Sequence, residues 1–133
     1  MSILGKRVSL KIAFALIAVM VCAGGLIPVL SKSSVHEVVL VAQDMAFRAD
    51  SGTGTVNPVI DVKAGETVRF VIRNRDRGMT HDFSVPALGV ATDRLEWNQD
   101  GQVTFEAPAT PGTYGYMCRP HQLMMKGTLR VTK

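Results

Sequence analysis

The chain has 133 residues, with 15 Lys+Arg against 11 Asp+Glu for a formal net charge of +4. Three of the basic residues, Lys6, Arg7 and Lys11, and none of the acidic ones fall within residues 1–31, so the remainder carries 12 against 11, a net +1. That near-neutral remainder gives no basic footprint for nucleic acid, and its roughly 100 residues suit one domain around one core.

Residues 1–31 read as a leader. The three basic residues precede an uncharged run from Ile12 to Leu30, the pattern of an export signal or of an N-terminal membrane anchor. The run is longer than an ordinary signal core and just long enough to span a bilayer, so both readings stand. Ala23 in Val21-Cys22-Ala23 offers a small residue for cleavage, whereas Gly24-Gly25 and Pro28 weaken a continuous helix. Cys22 fits lipid attachment poorly, because Met20 and Val21 are larger than the small residues expected before such a cysteine. The expectation is an exported domain over residues 32–133, periplasmic or otherwise extracytoplasmic, either free or tethered through residues 12–30.

Within that domain, short runs rich in β-branched and aromatic residues alternate with Pro and Gly clusters. Val35 to Val41, Val59 to Val62, Thr67 to Ile72, Val103 to Phe105, Thr113 to Cys118 and Gly127 to Val131 are predicted strands. Their spacing indicates an all-β antiparallel sandwich or barrel. Ala49 to Pro58, with Gly52 and Gly54, reads as a loop, and Ser84 to Asp100 as an irregular segment with a short helix or a distorted strand.

The chemistry concentrates near the C-terminus. Cys118, His121, Met124 and Met125 place one thiol, one imidazole and two thioethers within eight residues, and His81 supplies a second imidazole from the loop-like Gly78-Met79-Thr80-His81-Asp82-Phe83. A lone Cys is ordinarily a small buried hydrophobe and a lone His a surface residue. Cys118 is, however, the one cysteine after residue 31, so it has no disulfide partner in its domain and needs another role in an oxidising compartment. Two imidazoles and a thiolate with a weak axial Met form the donor set of a blue-copper electron-transfer site. Period-two alternation puts Tyr114, Tyr116 and Cys118 on one strand face. If that face is the core, Cys118 emerges inward, and Arg119 and Pro120 turn the chain so that His121 returns to the same point. Pro120 stiffens that turn and, lacking an N–H, withholds one hydrogen bond from the thiolate.

Residues 35–133 resemble the small blue copper proteins of the cupredoxin family. The run His121-Gln-Leu-Met-Met125-Lys-Gly-Thr-Leu129 is similar to the azurin ending. Cys118-x-x-His121 with Pro120 before the His resembles plastocyanin, pseudoazurin and amicyanin, and Pro111-Gly-Thr-Tyr-Gly-Tyr-Met-Cys118 resembles the strand leading into the family's Cys. The resemblance implies a Greek-key β-sandwich binding one type 1 copper ion through His81, Cys118, His121 and a Met. Met125 matches the azurin-like Met-Lys-Gly tail and is the expected axial ligand; Met124, with amicyanin-like spacing, is the alternative. The amide of Asp82 is the expected donor to the sulfur. Many members carry Asn directly after the first His, where its side chain ties the two ligand loops together; this chain has Asp82, which leaves that tie open.

The function implied is carriage of single electrons between redox proteins, without enzymatic turnover. Partners are expected to dock briefly on an apolar patch around His121, formed by Pro120 and Leu123 with Met124, Pro86 or Leu88, since redox interfaces are small. Arg73, Arg75, Arg77 and Arg119 suit an acidic partner, and equally suit a solvated loop balanced by Asp76. A copper carrier or sensor could use the same soft donors, with geometry rather than donor identity separating the two. A structural zinc site ordinarily recruits more than one Cys, and a Cys-His hydrolase would need an orienting third group. A binuclear copper centre would want a second loop Cys, and a trinuclear cluster more than the three histidines present; His36 reads as a strand surface residue.

Overall fold

In the strand Thr67–Asn74 every second residue is buried: Val68, Phe70, Ile72 and Asn74 are fully enclosed, while the residues between them are half-buried. This alternation follows from the strand repeat, which sends successive side chains to opposite faces, and it sets the inward face of the domain. The computed structural model describes residues 34–50 and 54–133. The expected leader, with Cys22 and the tether through 12–30, lies outside the described residues, among which no helix is long and apolar enough to cross a membrane.

Among the described residues there are nine strands: β1 His36–Gln43, β2 Ala46–Ala49, β3 Val59–Lys63, β4 Thr67–Asn74, β5 Ser84–Val85, β6 Val90–Ala91, β7 Asp100–Glu106, β8 Gly112–Met117 and β9 Lys126–Thr132. They make two sheets, ordered β2-β1-β4-β7 and β3-β9-β8-β5-β6. The six predicted strands all appear, but the sheets are mixed and not purely antiparallel, since β1 runs parallel to β4 and β3 parallel to β9. Parallel neighbours cannot be joined by a hairpin, and here chain that visits other strands separates each pair. Side-chain alternation reports which face a residue takes, not the direction of the neighbour. Within the loop expected over 49–58, Val56 is bridged to Arg48 and the Asn57 amide accepts from Phe47 N–H at 3.0 Å. The irregular segment from Ser84 resolves into β5, a 3-10 turn at Pro86–Leu88, and β6, pieces too short to show a period.

Four buried rings fill the space between the sheets. Phe70 stacks on Phe83 with centroids 4.5 Å apart, Phe83 lies 5.4 Å from Tyr116, and Phe47 meets Tyr116 edge-on at 5.7 Å. Burial of each ring stabilises the fold by about 1.5–3 kcal/mol, and offset or edge-on pairs add to that. Phe83 is two residues after His81, and Tyr116 two residues before Cys118, so both donors continue inward rows whose neighbouring members are core aromatics. Tyr116 also donates its hydroxyl to Pro58 O at 2.7 Å.

Gly127 lies opposite Tyr116 in the β8–β9 register, and a Cβ there would clash with the hydroxyl end of the Tyr116 ring. The ring is held by its hydrogen bond and cannot swing away, so Gly127→Ala is expected to destabilise the domain by about 1–3 kcal/mol, the usual cost of overpacking. Urea unfolding checks this: the midpoint should fall with little change in slope, whereas an unchanged midpoint means that the backbone yields freely.

Candidate metal centre

His81 enters the site from an extended segment whose N–H and C=O both pair with Leu95, at 3.0 and 2.8 Å. Asn74, the last inward residue of β4, shapes that segment. Its amide donates to Met79 O at 2.8 Å and Leu95 O at 2.9 Å and accepts from Asp76 N–H at 2.9 Å. Gly78 makes the return of the chain at φ 79°, a value that costs glycine little.

The other donors come from the end of β8. Cys118 N–H donates to Met125 O at 2.9 Å, and His121 O accepts from Met124 N–H and Met125 N–H at 3.0 and 2.9 Å. The loop therefore closes on itself, with Pro120 inside a 3-10 turn at Arg119–His121. Asn57 fastens it from outside, donating to Met124 O at 2.9 Å.

Three donor atoms converge. Cys118 Sγ is 3.7 Å from His81 Nδ1 and 3.6 Å from His121 Nδ1, and the two nitrogens are 3.2 Å apart. A point equidistant from the three lies about 2 Å from each, the length of a bond from a first-row transition metal to nitrogen or sulfur. His81, Cys118 and Met125 are fully buried, and Met124 is 61% exposed. Burial lowers the pKa of His81 despite the opposing Asp76 carboxylate, and burial raises that of the Cys118 thiol against the N–H of Asp82. Without a metal, both donors thus favour their neutral forms, and a cation that binds must displace the thiol proton.

Residues 12–131 match the family model of the cupredoxin-like domain. The chain belongs to the cupredoxin family. It is 37% identical over 94 residues to a plastocyanin of Scenedesmus fuscus, across 62% of this chain and 92% of that one. Auracyanin B is 27% identical, with 74% of this chain and 88% of that one covered, at a TM-score of 0.55. Rusticyanin from Thiobacillus ferrooxidans is 25% identical, with 74% and 77% covered, also at 0.55. Copper is the metal of these proteins, and the soft thiol and two imidazoles of the triangle fit it.

Against the family pattern, Asp82 stands out. Its carboxylate is fully buried and accepts from Arg119 N–H at 2.7 Å and Arg119 Nε at 2.8 Å, while its own N–H faces Cys118 Sγ at 3.5 Å. The Arg119 guanidinium reaches on to Thr92 O at 3.1 Å. The two loops of this cupredoxin are therefore tied, by a charged pair instead of an amide. Arg73 pairs with Asp50 and Arg75 with Asp100, and Arg77 lies 4.8 Å over the Trp97 ring. The arginine-rich loop is thus balanced by Asp50 and Asp100. Asp76, expected to balance it, instead faces His81 Nε2 at 3.1 Å and accepts from Met45 N–H at 3.0 Å. His36 pairs with Glu66 on the surface and takes no part in the triangle.

Sequence reading missed Asn74, Asp76 and Asn57, polar residues whose partners lie on other turns of the chain. It also missed Met45, which with Pro120, His121, Gln122, Leu123 and Met124 lines a depression of about 290 Å³; Pro86 and Leu88 do not line it. Met45 is placed there by two successive left-handed residues, Asp44 and Met45, at φ 52° and 57°.

Removing the Arg119 guanidinium leaves the buried Asp82 charge with one amide donor. Because Arg119 is half-exposed, Arg119→Ala should cost the copper-free protein about 1–3 kcal/mol, less than a fully buried pair would. Adding Asp82→Asn should recover part of that loss, since the amide carries no charge to leave unpaired. Unfolding midpoints of the two single variants and the double variant measure the coupling; strictly additive effects would show that the pair does not act as one unit.

Proposed function

We propose that this cupredoxin carries single electrons outside the cytoplasm, on one type 1 copper held by His81, Cys118 and His121 with Met125 as the axial ligand. The observation that carries the reading is the closed N2S triangle, in which two of the three donors are fully buried and only His121 is partly exposed. Bound copper supplies a one-electron couple whose two charge states prefer different geometries. The chain resists that difference: the Cys118–Met125 loop is hydrogen-bonded to itself, Asp82 and Arg119 tie it to the His81 segment, and Asn57, itself held by Phe47 N–H of β2, braces it from outside. Buried Met125, whose carbonyl is bonded to the Cys118 amide, suits the axial role better than exposed Met124.

His121 alone of the three donors is not fully buried, and its outer edge opens to the depression walled by Met45, Pro120, Leu123 and Met124. Leu123 is 85% exposed. This apolar rim excludes water over the imidazole and suits brief docking by a redox protein, because few ion pairs must be desolvated or broken again. With Arg73, Arg75 and Arg119 already paired, the recognition is mainly apolar. Export rests on the leader pattern of residues 1–31, with residues 32–133 as the exported domain and the run over 12–30 as signal or tether.

Loading the domain with copper under oxidising conditions tests the proposal. An intense absorption band in the red and a narrow copper hyperfine splitting are expected, with both lost in Cys118→Ser while the protein remains folded. A colourless protein that holds only copper(I) would instead make it a copper carrier. Met125→Leu should raise the reduction potential and alter the spectrum, because loss of a weak thioether donor withdraws stabilisation from copper(II). Met124→Leu should leave both nearly unchanged; voltammetry of the two variants decides the axial assignment.

A further inference from the structure

Asp76 stands outside the donor triangle but touches it. Its Oδ2 lies 3.1 Å from His81 Nε2 and accepts from Met45 N–H at 3.0 Å. The Asp76 backbone is pinned as well, its N–H held by Asn74 Oδ1 at 2.9 Å and its C=O accepting from Met79 N–H at 3.2 Å. The side chain is 19% exposed, and among the described residues the neutral His81 imidazole is its one side-chain partner. None of the nearby arginines neutralises it: Arg73 and Arg75 are engaged by Asp50 and Asp100, and Arg77 by the Trp97 ring.

Resting on His81 as a copper ligand, we infer that Asp76 is a positioning residue of the centre, which fixes the His81 tautomer and biases the bound copper toward its higher charge. A neutral imidazole has one donor and one acceptor nitrogen. An ionised carboxylate only accepts, so the proton must sit on Nε2, and the Nδ1 lone pair then faces Cys118 Sγ and His121 Nδ1. The same hydrogen bond raises the basicity of the ligating nitrogen, as carboxylate partners of metal-bound histidines do. An unneutralised negative charge one imidazole away favours copper(II) over copper(I) and so lowers the reduction potential. The shared oxygen also joins His81 to the β1–β2 turn, where Met45 walls the depression beside His121.

Asp76→Asn separates charge from position, since the amide oxygen can still accept from both Met45 N–H and His81 Nε2–H. The expected result is a protein that keeps its blue spectrum, has a raised potential, and binds copper(II) about 10–100-fold more weakly, with copper(I) affinity less affected. A purely structural role would change the unfolding midpoint and leave the potential where it was. A second measurement needs no metal: nitrogen-15 NMR of the copper-free wild type should show His81 protonated at Nε2 alone, and Asp76→Ala should show a mixture of tautomers. A blue protein whose potential is unmoved by Asp76→Asn overturns the charge bias, and an Nδ1–H tautomer in the wild type overturns the positioning role. A wild type that binds copper without a blue spectrum overturns the ligand reading itself, and with it the effect on the potential, while the NMR result still judges the hydrogen bond.

Discussion

Two segments 37 residues apart must hold a thiol and an imidazole 3.7 Å from each other, inside a core that disfavours charge on either. Everything around the centre follows from that requirement. Close approach of polar donors in an apolar interior is costly unless their remaining hydrogen-bonding capacity is met. The chain meets it from the backbone, through the Leu95 ladder on one side and the Cys118–Met125 loop on the other. The aromatic cluster beneath supplies the stiffness. Phe83 and Tyr116 lie within the same stack as Phe70 and Phe47, and each is two residues from a donor, so a shift of either loop would have to disturb the packed rings.

Charge is arranged asymmetrically about the triangle. On the Cys118 side a fully buried carboxylate, Asp82, is compensated by Arg119, and the pair serves to join the loops. On the His81 side Asp76 has no such cation among the described residues, and its carboxylate meets the imidazole and the Met45 N–H. A buried ion pair contributes little net stability but strongly penalises the loss of either member, which suits a tie whose purpose is to keep two loops in one arrangement. An uncompensated carboxylate costs more to bury, and Asp76 lessens the cost by remaining partly exposed and by accepting two N–H groups. Its carboxyl stays below the usual range even though burial pushes the other way.

The apolar depression is assembled with equal economy of parts. Met124 and Leu123 project outward because the alternate loop residue, Met125, is drawn inward by its backbone bonds to Cys118 and His121. Asn57, itself in the left-handed region, fixes the carbonyl of Met124 from 67 residues away. One hydrogen-bonded loop thus sets both the side that faces the donor triangle and the side that lines the depression.

The sequence by itself determined the strands that have a period to display, the inward row of Tyr116 and Cys118, and which residues are candidate donors, because side-chain alternation and the Cys-x-x-His-x-x-x-Met spacing are local properties of the chain. It also marked Asp82 as unusual without saying what it does. Whether β1 meets β4 and β3 meets β9 in parallel, where the Asp82 carboxylate finds its cation, and which acid faces His81 were decided only by tertiary structure. Each depends on groups separated by several residues to dozens whose distance in space no spacing rule encodes. Asp76 is the clearest case: five residues before His81, it reads as one more charge in an arginine-rich loop, and it meets the imidazole because Asn74, at the buried end of β4, bends that loop back on itself.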